Sequence, residues 1–329
     1  MLVLSTIFSS VSDRELKAQV EEQVLAAVRT NRGYAQLNET EKAQFRQGIR
    51  DNLYSQYDLD KPIYERIMKY TASILTFDFG KSLRMSSRSG SNEVKDIVLE
   101  ALPRTILLFT TAETIVVAIG ILLGIKAAQR SGSILDKGIS VFAILSSSLP
   151  MWWVGMLMIL IFSYSLNIFP SGGLVSLPPP TGIEYVIDLL WHLTMPLITV
   201  ILVSFGAWAY TTRNLVIGTM QEDYITVARA KGVPERKVLY GHVLRSSAPP
   251  LVTMITTTIL LSLGGAIITE SVFNWPGMGR LYWVAIEEFD TPVLMGNTFV
   301  TVFLYVFAMA VLDLTYGLLD PRIKVGGRR

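Results

Sequence analysis

The 329 residues include no cysteine, which removes disulfides and thiolate metal sites together. Histidine occurs only at His192 and His242, too far apart in sequence for a local metal motif, so no metal site is assigned. Charge is scarce: 17% of residues are charged and half are apolar, the profile of a multi-span membrane protein rather than a soluble enzyme. A net charge of +2 with no basic stripe interleaved with aromatics excludes nucleic acid as a partner. A phosphate-cradling loop is missing too. Gly80-Lys81-Ser82 has the right ending, but Leu75 stands where the first glycine belongs, so ATP hydrolysis is excluded from this chain. Residues 13–103 hold neither His nor Cys, and no catalytic residue is assigned.

What remains is apolar length. A helix needs about 20 apolar residues to cross a bilayer, and five stretches qualify: 106–126, 138–162, 190–211, 251–273 and 298–319. Lys126, Arg130 and Lys137, the loop 213–249, and the tail 323–329 with Arg328 and Arg329 carry the positive charge, marking the cytoplasmic side. The alternate loops carry Glu184 and Asp188, or Glu287, Glu288 and Asp290, and read as external. The C-terminus is then cytoplasmic and residues 13–103 external, since long exported segments ignore the positive-inside bias.

Residues 13–103 read as an external helical cap. Leu16, Val20, Val24 and Val28 repeat every four residues, as do Phe45, Ile49 and Leu53, and Asp60 with Pro62 marks a helix start. Residues 1–12 are apolar but too short to span and lack the flanks of a signal peptide, which reads as the outer end of a first transmembrane helix. The resulting expectation is an all-α polytopic bundle, with residues 104–322 as its transmembrane domain.

Four blocks in order carry a family pattern: F-D-F-G-K-S-L-R with L-P-R-T-I-L-L, D-Y-I-T-V-A-R-A-K-G, G-G-A-I-I-T-E-S-V-F-N-W-P-G-M-G-R-L, and D-L-T-Y-G-L-L-D-P-R-I. Together they resemble the permease subunits of the dipeptide, oligopeptide and nickel class of ABC importers. The second block resembles that class's EAA loop, although Thr226 and Val227 stand where the general pattern has Glu and Ala, leaving Ala228 and Gly232.

The resemblance implies a type I ABC importer transmembrane subunit, working by alternating access with a second homologous permease, two ATPase subunits and an external solute-binding protein. ATP and Mg would be bound by the ATPase partners, with no cofactor in this chain. It implies that Glu222, Asp223, Tyr224, Ala228, Arg229, Ala230, Lys231 and Gly232 form the ATPase-coupling surface in the cytoplasmic membrane-facing loop. The alternative for that stretch is an ordinary solvated loop. Oligopeptides are the expected cargo; oligosaccharides and, less favoured, nickel chelates are the alternatives within the class. An ion-coupled secondary transporter would show internal repeats, and none is visible. A membrane enzyme would need a convergent catalytic set.

Within the spans, Pro150 after Ser146-Ser147-Ser148, Pro196, and Gly264-Gly265 read as breaks that either hinge or merely pack. Gly120 and Gly124 form a small-xxx-small face for a contact within the chain or with a second subunit. Charges inside a bilayer are costly. Glu113, Pro150 and Glu270 are the candidates for the translocation path, against a reading in which neighbouring hydroxyls satisfy the carboxylates. Asp313 near Tyr316 reads as structural. His192 beside Trp191 reads as a satisfied interfacial histidine, His242 as structural, and Met151-Trp152-Trp153 as packing or a sugar-stacking surface.

Overall fold

The structure is a computed structural model that describes residues 17–319, except 19, 26, 30, 32, 57–58, 63, 66–67, 69–71, 74–75, 83 and 289. Residues 1–12, Leu16 and the tail 323–329 lie outside the described residues. The described chain is helical, with one isolated antiparallel bridge between Lys81 and Glu93. It divides into two units, Met1–Asp78 and Phe79–Arg329.

The first unit has its own small core. Val20 and Val24 are buried on a helical stretch, and α1 (Glu39–Gln56) half-buries Phe45, Ile49 and Leu53, as their spacing predicts. Asn38 and Glu41 close the start of α1 reciprocally: each side chain accepts the other's backbone N–H, at 2.8 and 2.9 Å. Arg50 grips Glu21 through two nitrogens at 2.6 and 2.7 Å, which holds the Glu21 carboxyl below its ordinary range.

The second unit is built on long helices. α2 (Val94–Gln129) is continuous, so the segment 94–103, expected in the cap, is the opening of a span helix. Lys95, Asp96, Glu100 and Arg104 end the apolar run without ending the helix. Pro103 does not end it either, and a π turn follows at Ile106–Thr110 within the same helix. α3 (Ile134–Ser148) and α4 (Met151–Ser165) make up the expected span 138–162 and meet at 94°, so the break expected at Pro150 is there. Pro150 disfavours helical angles at Leu149, which is extended at φ −97° and ψ 128°. α5 (Ile183–Met220) runs straight through buried Pro196 without a break.

A short helix α6 (Asp223–Ala230) leads to α7 (Glu235–Gly264). The expected loop 213–249 is therefore much shorter: α5 and α7 take up its two ends. α7 stops where Gly265 turns at φ +67°, so the expected span 251–273 ends early and Glu270 sits on a separate helix, α8 (Ile267–Val272). α9 (Met278–Glu287) and α10 (Thr291–Leu319) complete the unit, α10 beginning ahead of the expected residue 298.

α2 and α5 run parallel and pack closely. A Cβ on Gly120 would meet Trp208 Cβ at 2.5 Å, and one on Gly124 would meet Ala209 O at 2.5 Å and Thr212 Cβ at 2.6 Å. The small-residue face is thus spent within the chain, where it lets two backbones approach. α3 lies antiparallel on α5, where Ser146 packs at Gly206 and Asp136 pairs with Arg213. Three apolar clusters succeed one another along the unit. Val94, Val98, Met278 and Ala285 fill one end, Leu108, Phe109, Met195 and Trp275 the middle, and Ala128, Val216, Ile225 and Val243 the other.

Candidate functional site

α6 lies at the end of the unit where α2 and α5 finish. Ile225 anchors it: the side chain is fully buried against Ala128, Val216, Val238, Leu239 and Val243. The opposite face is open. Tyr224 and Val227, spaced i and i+3, are 48% and 51% exposed, an apolar pair on the outside of a charged turn. Glu222, Asp223, Ala230, Lys231 and Gly232 are exposed around them, and Ala228 is half-buried.

Gly232 has φ +77° and nothing within 4 Å of where its Cβ would be, so its backbone angle rather than a close approach requires glycine there. Its N–H closes the helix onto the Arg229 carbonyl at 2.9 Å. Arg229 turns back within the chain to pair with Glu235 at 2.8 Å, bracing α6 against the start of α7. Sequence reasoning passed over Val227, noted only as a departure, and Tyr240, which is 58% exposed on the next turn. The i, i+3 spacing of Tyr224 and Val227 opposite Ile225 was the available signal.

The three path candidates are not brought together with this surface. Glu270 is wholly buried at the other end of the unit. Its Oε1 accepts the Thr105 hydroxyl at 2.8 Å and its Oε2 the Arg280 N–H at 3.0 Å, while Thr105 Oγ1 accepts the Met278 N–H at 2.7 Å. Gly265 and Gly277 pack so tightly around the carboxylate that a Cβ on either would lie 2.8 or 2.6 Å from its oxygens. Trp275 Nε1 donates to the Arg104 carbonyl at 3.0 Å, and Asn297 Nδ2 to the Met278 carbonyl at 3.1 Å. The third sequence block is therefore a knot: residues 265–280 fold over the start of α2 and tie it to α9.

Pro150 forms the α3–α4 bend, and Glu113 lies half-buried near the middle of α2. His192 is buried with Nδ1 2.9 Å from the Asp188 carbonyl, a satisfied structural histidine. His242 is exposed. Trp152 and Trp153 are 38% and 40% exposed on α4. Gly80-Lys81-Ser82 forms a turn at φ +73° beside the Lys81–Glu93 bridge, with Ser82 Oγ donating to Asp290 at 2.5 Å. Asp313 is exposed, and the Tyr316 side chain lies outside the described residues. Among the described residues no group of His, Cys, Asp and Glu could hold a metal ion.

A helical unit with apolar spans and a short exposed helix between two of them matches a known family model. Residues 120–325 match the binding-protein-dependent transport system inner membrane component. The chain belongs to that family. The permease is 31% identical over 278 residues to an oligopeptide transport system permease protein of Bacillus subtilis, covering 84% of this chain and 86% of that protein. It is 37% identical to a putative peptide permease protein of Brucella suis, covering 84% of each. A dipeptide transport system permease protein of Bacillus subtilis is 32% identical over 85% of both chains. Among solved structures, the MetNI methionine ABC transporter in an inward-facing form matches with a TM-score of 0.52 at 17% identity, covering 68% of this chain and 96% of that one. That likeness shows that the two chains share a fold. The chain is a transport subunit of the peptide class of ABC permeases.

Proposed function

We propose that this permease moves oligopeptides across the cytoplasmic membrane by alternating access, powered by two separate ATPase subunits that bind ATP and Mg. It pairs with a second, homologous permease and receives cargo from an external solute-binding protein. Residues 13–103 are external and the C-terminus cytoplasmic. The observation that carries the coupling role is the two-sidedness of α6: Ile225 locks one face into the permease, while Tyr224 and Val227 leave an apolar face uncovered. An uncovered apolar pair on a charged turn suits a groove on another protein, with Glu222, Asp223 and Lys231 as its polar rim. Movement of that helix reaches the spans through Ile225 and through the Arg229–Glu235 brace to α7.

Peptide cargo is supported by the relatives' transport of peptides and by the length of the match, which spans most of each relative. Uptake into vesicles holding the permease with its partners tests the reading, using labelled peptide and oligosaccharide pools with and without ATP. ATP-dependent peptide uptake is expected. Oligosaccharide uptake would keep the machine and change its cargo, and uptake without the ATPases would overturn the importer reading. For the coupling surface, Gly232→Asp forces a side chain into left-handed angles. It is expected to leave the permease inserted and to abolish ATPase pull-down, and normal pull-down would remove the docking role.

A further inference from the structure

Among the described residues, the buried and half-buried carboxylates of the second unit have partners, with one exception near the middle of α2. Glu100 pairs with Arg104, Asp136 with Arg213, Asp188 with Ser176, Glu270 with Thr105 and Asp290 with Ser82. Glu113 is half-buried and, among the described residues, accepts no hydrogen bond and pairs with no cation. A carboxylate in that position is costly unless a cation joins it.

Its depth can be read from the packing. Gly120 meets Trp208 and Gly124 meets Thr212, so Glu113 is level with Ile201, near the middle of both α2 and α5. α7 runs antiparallel to α2: Thr110 Oγ1 lies 2.9 Å from Ser262 Oγ, and Ile125 and Ala128 pack with Val243 and Leu244. That register puts Glu113 and Thr114 level with Thr257 and Thr258. α7 is rich in hydroxyls at this level, with Thr253, Thr256, Thr257 and Thr258 within six residues. The α3–α4 bend falls at nearly the same depth, since Ser146 packs against Gly206 and Leu149 follows within a turn. Unpaired acid, hydroxyl-rich helix and broken span thus share one level, the setting in which membrane proteins hold polar cargo.

We propose that Glu113, flanked by the hydroxyls of Thr114 and α7, binds the positively charged amino terminus of a peptide in transit. The inference rests on the peptide reading above. An ammonium group offers three donors to a carboxylate and neighbouring hydroxyl oxygens, and charge-assisted bonds of that kind are the strong ones. The site would hold the end common to every peptide and leave the side chains unread.

The test uses the complete complex in proteoliposomes and a labelled tripeptide with its amine free or acetylated. Glu113→Gln keeps the shape and removes the charge. It is expected to lower uptake of the free-amine peptide about tenfold, the scale of one lost charge-assisted bond, and to lower uptake of the acetylated peptide far less. Glu113→Asp should keep part of the free-amine uptake. A carbodiimide should link Glu113 of the wild type to the free-amine peptide and not to the acetylated one, a readout that stands even where the acetylated peptide is refused upstream. Equal loss for both peptides, no loss for either, or a carbodiimide link from Glu113 to a lysine of the companion permease would overturn the site. A wild type that imports neither peptide would remove the peptide reading, and the ammonium site with it.

Discussion

At the scale of single residues, the best-defined polar site is the Glu270 cradle. The carboxylate is buried, accepts the Thr105 hydroxyl and the Arg280 N–H, and is enclosed by Gly265 and Gly277. Glu270→Ala strands those donors in a closed space, at about 1–3 kcal/mol for each. The thermal midpoint of the detergent-solubilised permease should fall by several degrees. Thr105→Val keeps the shape and loses only the bridging hydroxyl, so its fall should be the smaller. An unchanged midpoint in Glu270→Ala would mean that water replaces the carboxylate without loss. The sequence flagged Glu270 as a costly charge but could not say who answers it. Thr105 is 165 positions away, and the two meet only because residues 265–280 fold over the start of α2. Glu113 was flagged by the same argument and turned out to lack what Glu270 has.

At the scale of elements, the apolar middles of the spans were legible because burial in lipid demands an unbroken apolar run. Their ends were not. Lys95, Asp96, Glu100 and Arg104 interrupt the run while α2 continues, since Glu100 and Arg104 pair at 2.5 Å across one turn and Asp96 accepts from Ser91. Conversely, Ile267 and Ile268 extend the apolar run past Gly265, although the backbone there has already left the helix. Pro150 broke its helix and Pro196, buried within α5, did not. The α2–α5 contact gives a direct test of elements. Gly124→Val drives methyl groups into the Ala209 carbonyl and Thr212, and overpacking of this kind costs about 1–3 kcal/mol or more. Gly218→Val, on the facing helix α5 and with nothing within 4 Å, should cost far less. Comparing the folded fractions of the two in membranes checks whether the glycine pair is the joint between these helices. α6 divides in the same way. Tyr224→Ala with Val227→Asp should lose ATPase pull-down while the permease remains folded, whereas Ile225→Asp should unfold this end of the permease. Retained pull-down in the surface variant would show that the exposed pair is not a contact.

At the scale of the whole molecule, the two ends of the second unit have different work to do, and the importer reading assigns them to opposite sides of the membrane. One end carries the exposed face of α6. The other carries the Glu270 knot and α9, whose last residue, Glu287, is exposed. The missing cysteines make the assignment measurable, because an introduced cysteine is labelled against no background. Three exposed positions suffice: Thr226 on α6, Glu287 on α9 and Ala43 on α1. In intact cells, a membrane-impermeant maleimide should label Glu287→Cys and Ala43→Cys and leave Thr226→Cys unmodified until the membrane is opened. Labelling of Thr226→Cys from outside would invert the permease and place the proposed coupling helix away from ATP. Protection of Ala43→Cys alone would keep the transport machine intact and move only the first unit to the inner side. Protection of Glu287→Cys together with Thr226→Cys would contradict the packing itself, since α2 and α5 hold those two ends apart by more than one membrane thickness: each of the two helices is about 54 Å or longer at 1.5 Å per residue, against a hydrocarbon core of about 30 Å.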